Sequence, residues 1–352
     1  MLSIDGSYGE GGGQVLRTCL ALSAITGREV RIEDIRAGRR KPGLRPQHLT
    51  GVRAAAKVCA AKVEGAKLNA QALTFAPSKA PQAGNYTFDV AQAAKGGSAG
   101  SVSLILQTVL LPLSLAKGES RLTLRGGTHV SWSPAFDYIK RVYLPTLSQV
   151  GLKSKANIRK WGWYPLGGGE VKVTIQGSAD YALAALDRRQ RGSLVRVRGL
   201  SASSNLPKHI RVRQEKAALQ ALRSNGINAR IDVVDAPSKG QGTVVFVWAE
   251  FEKSVAGFTS LGKRGKPAEQ VAEEVCEKLL GFVQGSSAFD RHLADQLLLP
   301  LALAEGTSRF TTETVTQHLL TNAWAINQFF PGCVGIEGDE GQPGVCLIMG
   351  TA

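Results

Sequence analysis

Three groups of residues in this chain have the types and spacing that do chemistry. The first is a glycine-rich loop, Gly9-Glu10-Gly11-Gly12-Gly13, that leads directly into a helical pattern over Gln14–Ile25. Backbone N–H groups at a helix start are unpaired and lie at the positive end of the helix dipole, so such a loop suits phosphate. Arg17 falls one turn beyond Gln14 on the same face, and Glu10 offers a carboxylate to a divalent cation beside the phosphates. A tight turn with a solvated arginine is the plainer reading. The second group is Arg36, Arg39, Arg40, Lys41 and Arg45, framed by Pro42, Gly43 and Pro46. Guanidinium forks pair bidentately with phosphate oxygens, and the Pro/Gly frame holds them in place. The third group is histidine-based. His292, Asp295 and Gln296 share one polar face of a helix over Asp290–Ala304, opposite Leu293, Leu297 and Leu301. That face lines a cleft or meets solvent. His318 opens another helix, where positive partial charge favours a neutral, nucleophilic imidazole; a structural histidine is the alternative.

Common catalytic patterns are missing. There is no G-x-x-x-x-G-K-[ST] loop and no G-x-G-x-x-G between a strand and a helix. Gly96-Gly97-Ser98-Ala99-Gly100 matches the G-x-S-x-G nucleophile elbow in letters alone. Ala91-Gln92-Ala93-Ala94-Lys95, which precedes it, is no strand.

Glycine-turn-plus-helix units must position these groups. After Gln14–Ile25, helical periodicity returns near Ser101–Leu115, around Phe136–Val150, at about Arg213–Asn225, over Pro267–Gly281 and in the His292 and His318 segments. Between them lie strand-like runs at Arg121–Leu124, Glu170–Ile175, Leu194–Arg198, Thr243–Ala249 and Val345–Met349. The class is therefore α/β or α+β. Composition shifts near residue 180, with sparser glycine and denser charge. Residues 181–284 read as an inserted smaller domain, and 1–180 plus 285–352 as the main body.

The chain has 352 residues and a formal charge of +15, which fits a polyanionic partner: nucleic acid, nucleotide or an anionic membrane surface. A basic soluble protein with no such partner is the alternative. With 43% hydrophobic and 20% charged residues, disorder throughout the chain is excluded. Five scattered cysteines without a C-x-x-C pair argue against a disulfide framework or zinc site and for a reducing compartment. The N-terminus shows no signal-peptide pattern. The most apolar stretch, Val102–Ala116, is too short and too interrupted to span a bilayer. A cytoplasmic protein with no membrane contact and no obligate protein partner is expected.

Taken in order, these segments resemble the RNA 3′-terminal phosphate cyclases. The matching stretches are Asp5-Gly6 with Gly9 to Arg17; Ile35 to Arg39 with Lys41 to Leu49; Gly97 to Val102 with Leu106-Gln107; Gly126-Gly127-Thr128; Tyr164-Pro165 with Gly167 to Glu170; Ser260 to Gly265; Leu293 to Leu297; and His318 to Asn322. The resemblance implies a large domain of three repeated units, each a four-stranded sheet with two helices, and a smaller inserted α/β domain. It implies use of ATP and Mg²⁺ or Mn²⁺ to convert an RNA 3′-terminal phosphate into a 2′,3′-cyclic phosphate, through a histidyl-AMP and then an RNA-adenylate. Carried over, His318 matches the nucleophile and Glu10 a residue near metal and triphosphate. Arg17, Arg36 and Arg39 match phosphate-binding arginines, with Gln47 in the same pocket. Gln107, Pro134, His292, Leu293, Ala294, Asp295 and Gln296 match the nucleotide-binding segment. His292 stands where the family commonly has a tyrosine. Two other readings carry different expectations: a non-catalytic, cyclase-like ribosome-assembly factor, which would lack the nucleophile, and an enolpyruvyl transferase, which shares the repeated units.

Overall fold

The computed structural model describes residues 1–94, 98–178 and 182–351. Gly96 and Gly97, and with them the elbow-like run, lie partly outside those residues, as does the composition boundary near 180.

Three sheets repeat one topology. The first holds β1 (Leu2–Asp5), β2 (Val30–Glu33), β3 (Lys62–Glu64) and β4 (Leu73–Ala76) in the order β1-β2-β4-β3, with α1 (Gln14–Thr26) and α2 (Pro46–Cys59) as crossovers. The first pair is parallel and the other two pairs are antiparallel. The second holds β5 (Asn85–Asp89), β6 (Gly118–Gly126), β7 (Lys153–Lys160) and β8 (Gly169–Gly177), ordered β5-β6-β8-β7. Its crossovers are α3 (Val102–Ser114) and a helical run of α4 (Phe136–Tyr138), a π turn over Ile139–Tyr143 and α5 (Leu144–Gln149). The single helix expected over Phe136–Val150 thus carries a wider turn in its middle.

The short strands β9 (Leu183–Ala184) and β10 (Asp187–Arg188) come next. The smaller unit then follows: β11 (Leu194–Ser204), α6 (Lys208–Ser224), β12 (Ala229–Asp235), β13 (Gly242–Phe251), β14 (Val255–Leu261) and α7 (Ala268–Gln284). Its sheet runs β12-β11-β13-β14, a different order. Helix α6 starts five residues before the expected Arg213, because Lys208–Arg213 is too polar to register in an apolar pattern. The third repeat closes with α8 (Arg291–Ala302), β15 (Ala304–Glu305), β16 (Thr307–Thr312), α9 (Gln317–Phe329), β17 (Val334–Glu337) and β18 (Gly344–Met349). Its sheet is β10-β16-β18-β17, so the smaller unit interrupts this repeat after its first strand. Because β9 pairs with β15 and β10 with β16, we propose that the insert begins near residue 194 rather than 181 and ends at 284.

The helices of the three repeats meet in the middle. Helix α1 packs on both α3 and α9, and α8 on α9. Helix α3 is apolar nearly all round and nearly all buried, as a central helix must be. No helix among the described residues is long and apolar enough to cross a membrane. All five cysteines are free and buried.

Arg191 closes the neck of the insert. Its guanidinium donates to the carbonyls of Val283 at 2.7 Å and Ser287 at 3.2 Å, and also to that of Gly285. It lies over the rings of Phe251 and Phe282, at 4.8 and 4.9 Å from their centroids. One side chain therefore ties the segment entering the smaller unit, before β11, to the segment leaving it at the end of α7. Arg191→Ala is expected to lower unfolding stability by about 3 kcal/mol, the scale of losing charge-assisted hydrogen bonds to part-buried carbonyls together with the packing on two aromatic rings. Urea titration measures it, and a loss under about 1 kcal/mol would mean that Arg191 is not the closure.

Candidate active site

A cavity of about 1100 Å³ lies where the three repeats and the insert meet. First-turn residues of four helices line it: Gln14 and Arg17 of α1, Gln47 and His48 of α2, His292 of α8 and His318 of α9. Each helix turns its positive end toward this space. The starts of α8 and α9 are capped by side chains: Asp290 accepts from the N–H groups of His292 and Leu293, each at 3.0 Å, and Thr316 from that of Leu319 at 3.1 Å. The start of α1 is different. Gly13 caps it without any side-chain hydrogen bond, and Gly13 and Gln14 line the cavity.

The loop before α1 is glycine for steric reasons. Gly9 has φ +66°, and a Cβ there would meet the Thr321 hydroxyl. At Gly13 a Cβ would come within 2.5 Å of His48 Nε2. This close approach brings Glu10 over the first turn of α9. Its Oε1 lies 3.1 Å from His318 Nδ1, and its Oε2 accepts from Arg39 Nη2 at 2.8 Å. A carboxylate can only accept, so in the neutral ring Nδ1 carries the hydrogen and Nε2 keeps its lone pair. Desolvation lowers the His318 pKa; Glu10 opposes this, and Arg17 and Arg39 add to it.

Of the residues singled out from sequence, Glu10, Arg17, Arg36, Arg39, Gln47, Gln107, Pro134, His292, Asp295, Gln296 and His318 all line the cavity. Some are already engaged. Arg36 Nη1 donates to the carbonyls of Lys41 and Gly43, both at 2.8 Å, which holds the arginine loop in its fold. Gln47 Oε1 accepts from the Ser101 N–H at 3.0 Å. Gln107 donates to Gln296 at 2.8 Å, joining α3 to α8. Arg17 donates to Gln14 at 2.5 Å; burial pushes its pKa down to about 10, so it stays charged at neutral pH. Leu293 and Ala294 do not join the others. Both are fully buried on the core side of α8, because a helix face that meets the cavity leaves its neighbours at positions two and three pointing inward. His292 is exposed and lines the cavity, and desolvation, Arg291, His318 and Lys278 hold its pKa down to about 4. The trio with Asp295 and Gln296 thus lines a cleft.

Other residues of the site were not singled out. Asn322 pins three helices: it accepts from Thr18 of α1 at 2.6 Å and donates to the Asp295 carbonyl of α8 at 2.6 Å. His48 is buried, and its Nδ1 accepts the Arg45 N–H at 3.2 Å. Desolvation and four surrounding arginines hold it neutral. The insert contributes Gly257–Leu261, Lys266, Glu274 and Lys278. Of these, His48, Ser260 and Leu261, and Asn322 fall within the stretches Lys41 to Leu49, Ser260 to Gly265 and His318 to Asn322 that carry the resemblance. Among the described residues no group of three or more His, Cys, Asp or Glu side chains could hold a metal ion.

The model of the RNA 3′-terminal phosphate cyclase family matches residues 8–336. A protein of Methylococcus capsulatus named RNA 3′-terminal phosphate cyclase is 48% identical over 351 residues, covering 100% of this chain and 97% of that one. A protein of the same name from Gloeothece citriformis is 49% identical over 329 residues, 94% of this chain and 93% of its own. One from Archaeoglobus fulgidus is 42% identical over 342 residues, 97% and 99%. Among solved structures, the enolpyruvyl transferase NikO from Streptomyces tendae aligns at 10% identity with a TM-score of 0.38, over 99% of this chain and 48% of its own.

Asp295 gives a stability prediction. Burial raises its pKa from 3.8 to about 8, against the pull of Arg17, and its Oδ1 has no hydrogen-bond partner. The folded carboxyl keeps its proton to about pH 8 while the unfolded one releases it near 3.8, so its contribution to stability is full below pH 3.8 and is lost as pH rises toward 8. Asp295→Asn removes that loss. Without ligand, the variant is expected to be more stable than the parent by about 2 kcal/mol at pH 8 and equal to it near pH 4. Urea titrations at both pH values measure this; an equal or less stable variant at pH 8 would contradict it.

Proposed function

Because the chain belongs to the RNA 3′-terminal phosphate cyclase family, we propose that this cavity converts an RNA 3′-phosphate to a 2′,3′-cyclic phosphate with ATP, and that His318 is the nucleophile. The observation that carries the reading is the Glu10–His318 contact of 3.1 Å at the start of α9, beside Arg17 and Arg39. It leaves Nε2 free and neutral in a place built for phosphate.

The steps are those that the family resemblance implies, and that geometry suits them. Nε2 of His318 attacks the α-phosphorus of ATP, a P–N bond forms, the bond to the β-phosphate oxygen breaks and pyrophosphate leaves. An oxygen of the RNA 3′-phosphate then attacks the same phosphorus and breaks the P–N bond, returning the electron pair to His318. The neighbouring 2′-OH attacks the activated 3′-phosphorus, loses its proton and expels AMP. Every step gathers negative charge, and fixed cations stabilise it without reorganising. Arg17, Arg39 and the free part of the Arg36 guanidinium supply them, together with the uncapped N–H groups of α1. Gln107, Pro134, His292, Asp295 and Gln296 line the part of the cavity assigned to the nucleoside. Leu293 and Ala294 serve it only by packing α8.

A divalent cation fits here as one carried by the nucleotide. Glu10 offers it a carboxylate, and phosphate oxygens and water supply the remaining ligands. Mg²⁺ or Mn²⁺ held there would neutralise phosphate charge. Pyrophosphate and AMP release, which make the enzyme a ligase, belong to this reading. The +15 charge suits an RNA substrate.

Two measurements test the reading. RNA with a labelled 3′-phosphate, incubated with the protein, ATP and Mg²⁺, is expected to become resistant to phosphatase; His318→Ala is expected to lower this by about 10³-fold or more. Resistance with both proteins would remove His318 from its role, and none with either would favour a binding role. The pH dependence of self-adenylylation gives the second. Its acid limb is expected below the ordinary histidine value of about 6.5, since protonation of His318 removes the lone pair. Arg39→Gln removes a cation that lowers this pKa, so the limb is expected to move to higher pH; an unmoved or lowered limb would contradict the assignment.

A further inference from the structure

Trp132 is an unusual residue for a protein surface. It is 97% exposed, more than any other large hydrophobic residue described, and it lines the same cavity. Its backbone has φ +64°, a conformation that a bulky L residue adopts only when its surroundings dictate it. Those surroundings are fixed. Before it, the N–H groups of Thr128 and His129 both donate to the Gly162 carbonyl, at 2.9 and 3.2 Å. After it, Phe136 N–H donates to the Thr128 carbonyl at 3.0 Å, and Ser133 Oγ to that of Val130 at 3.2 Å. The loop is closed on itself and holds the indole out at the cavity mouth. Among the described residues, no aromatic ring stacks on it and no cation covers it.

Two exposed cations, Arg40 and Lys41, line the same cavity, and among the described residues neither has an ion pair. A bare aromatic face and free cations lining one cavity are the two parts with which proteins hold single-stranded nucleic acid: the base stacks and the backbone follows the charge. Resting on the cyclase reading above, we propose that Trp132 stacks the base of the RNA's 3′-terminal nucleotide and so positions its phosphate, as a positioning residue without a part in the chemistry. The indole stands at the mouth, where an RNA end must enter, whereas His292 lies beside Asp295 and Gln296 on the α8 face given above to the nucleoside. Stacking accepts any base, so the terminal base should be required but not discriminated.

The test uses the full-length protein, Trp132→Ala and Trp132→Phe. Substrates are a short RNA 3′-phosphate with a normal terminal nucleotide and the same RNA with an abasic one. Self-adenylylation with labelled ATP alone is the control. Trp132→Ala is expected to raise KM for the normal RNA about tenfold, with kcat and self-adenylylation unchanged, and Trp132→Phe to restore most of it. The abasic end should cost the parent about the same tenfold and cost Trp132→Ala nothing more. An unchanged KM, or an abasic penalty that persists in full in Trp132→Ala, would overturn the proposal. So would a weaker ATP dependence of self-adenylylation, which would assign the indole to the nucleotide. A parent protein that does not label itself with AMP would instead overturn the cyclase reading, and this proposal with it.

Discussion

Four helix starts point their positive ends into one cavity, and the rest of the molecule is arranged around that convergence. Aligned peptide dipoles leave partial positive charge at each start, and arginines add whole charges beside it. Such a place is unfavourable when empty and favourable for an anion. Keeping it open needs rigid pins, and those pins are buried polar side chains. Asn322 joins α1, α8 and α9. Asp290 caps α8 and also accepts from the Tyr138 hydroxyl at 2.8 Å and the Gly257 N–H at 3.4 Å, so it reaches the second repeat and the insert as well. Its burial raises its pKa to about 6, a cost offset by the donors around it.

The same economy of charge governs the chemistry proposed for the site. Glu10 sits between an arginine and a histidine and orients both. His48 lies among arginines and is held neutral, so it adds no further repulsion. The cavity keeps its cations for a ligand where it can and spends others on its own loop, as with the Nη1 of Arg36. On the proposed reading, a protein with no P-loop assembles its phosphate site in this way from separate helix starts.

Local signals were legible in the chain. The glycine loop, the arginine loop and the starts of α8 and α9 each carry a spacing that sterics or dipoles impose nearby, and the ordered motifs carried the family resemblance. Helix ends in polar sequence were less legible: Lys208–Arg213 has no apolar period, and the π turn at Ile139–Tyr143 leaves the pattern of Phe136–Val150 intact. The smaller unit was proposed from a shift in composition; the edge now proposed for it near 194 was not legible, because β9 and β10 are too short to show a period of two.

The sequence by itself determined which residues could bind phosphate or attack phosphorus, since those abilities belong to side-chain type and to position on a helix. It did not determine who their partners are. Glu10 and His318 are more than three hundred residues apart in the chain, and only the packing of α1 on α9 sets their atoms 3.1 Å apart. The same packing turns Leu293 and Ala294 inward while Asp295 and Gln296 meet the cavity, and it brings the insert's Lys278 within reach of His292. Tertiary structure decides such matters because a contact across the chain depends on the sum of all the packing between its ends, which no local pattern records.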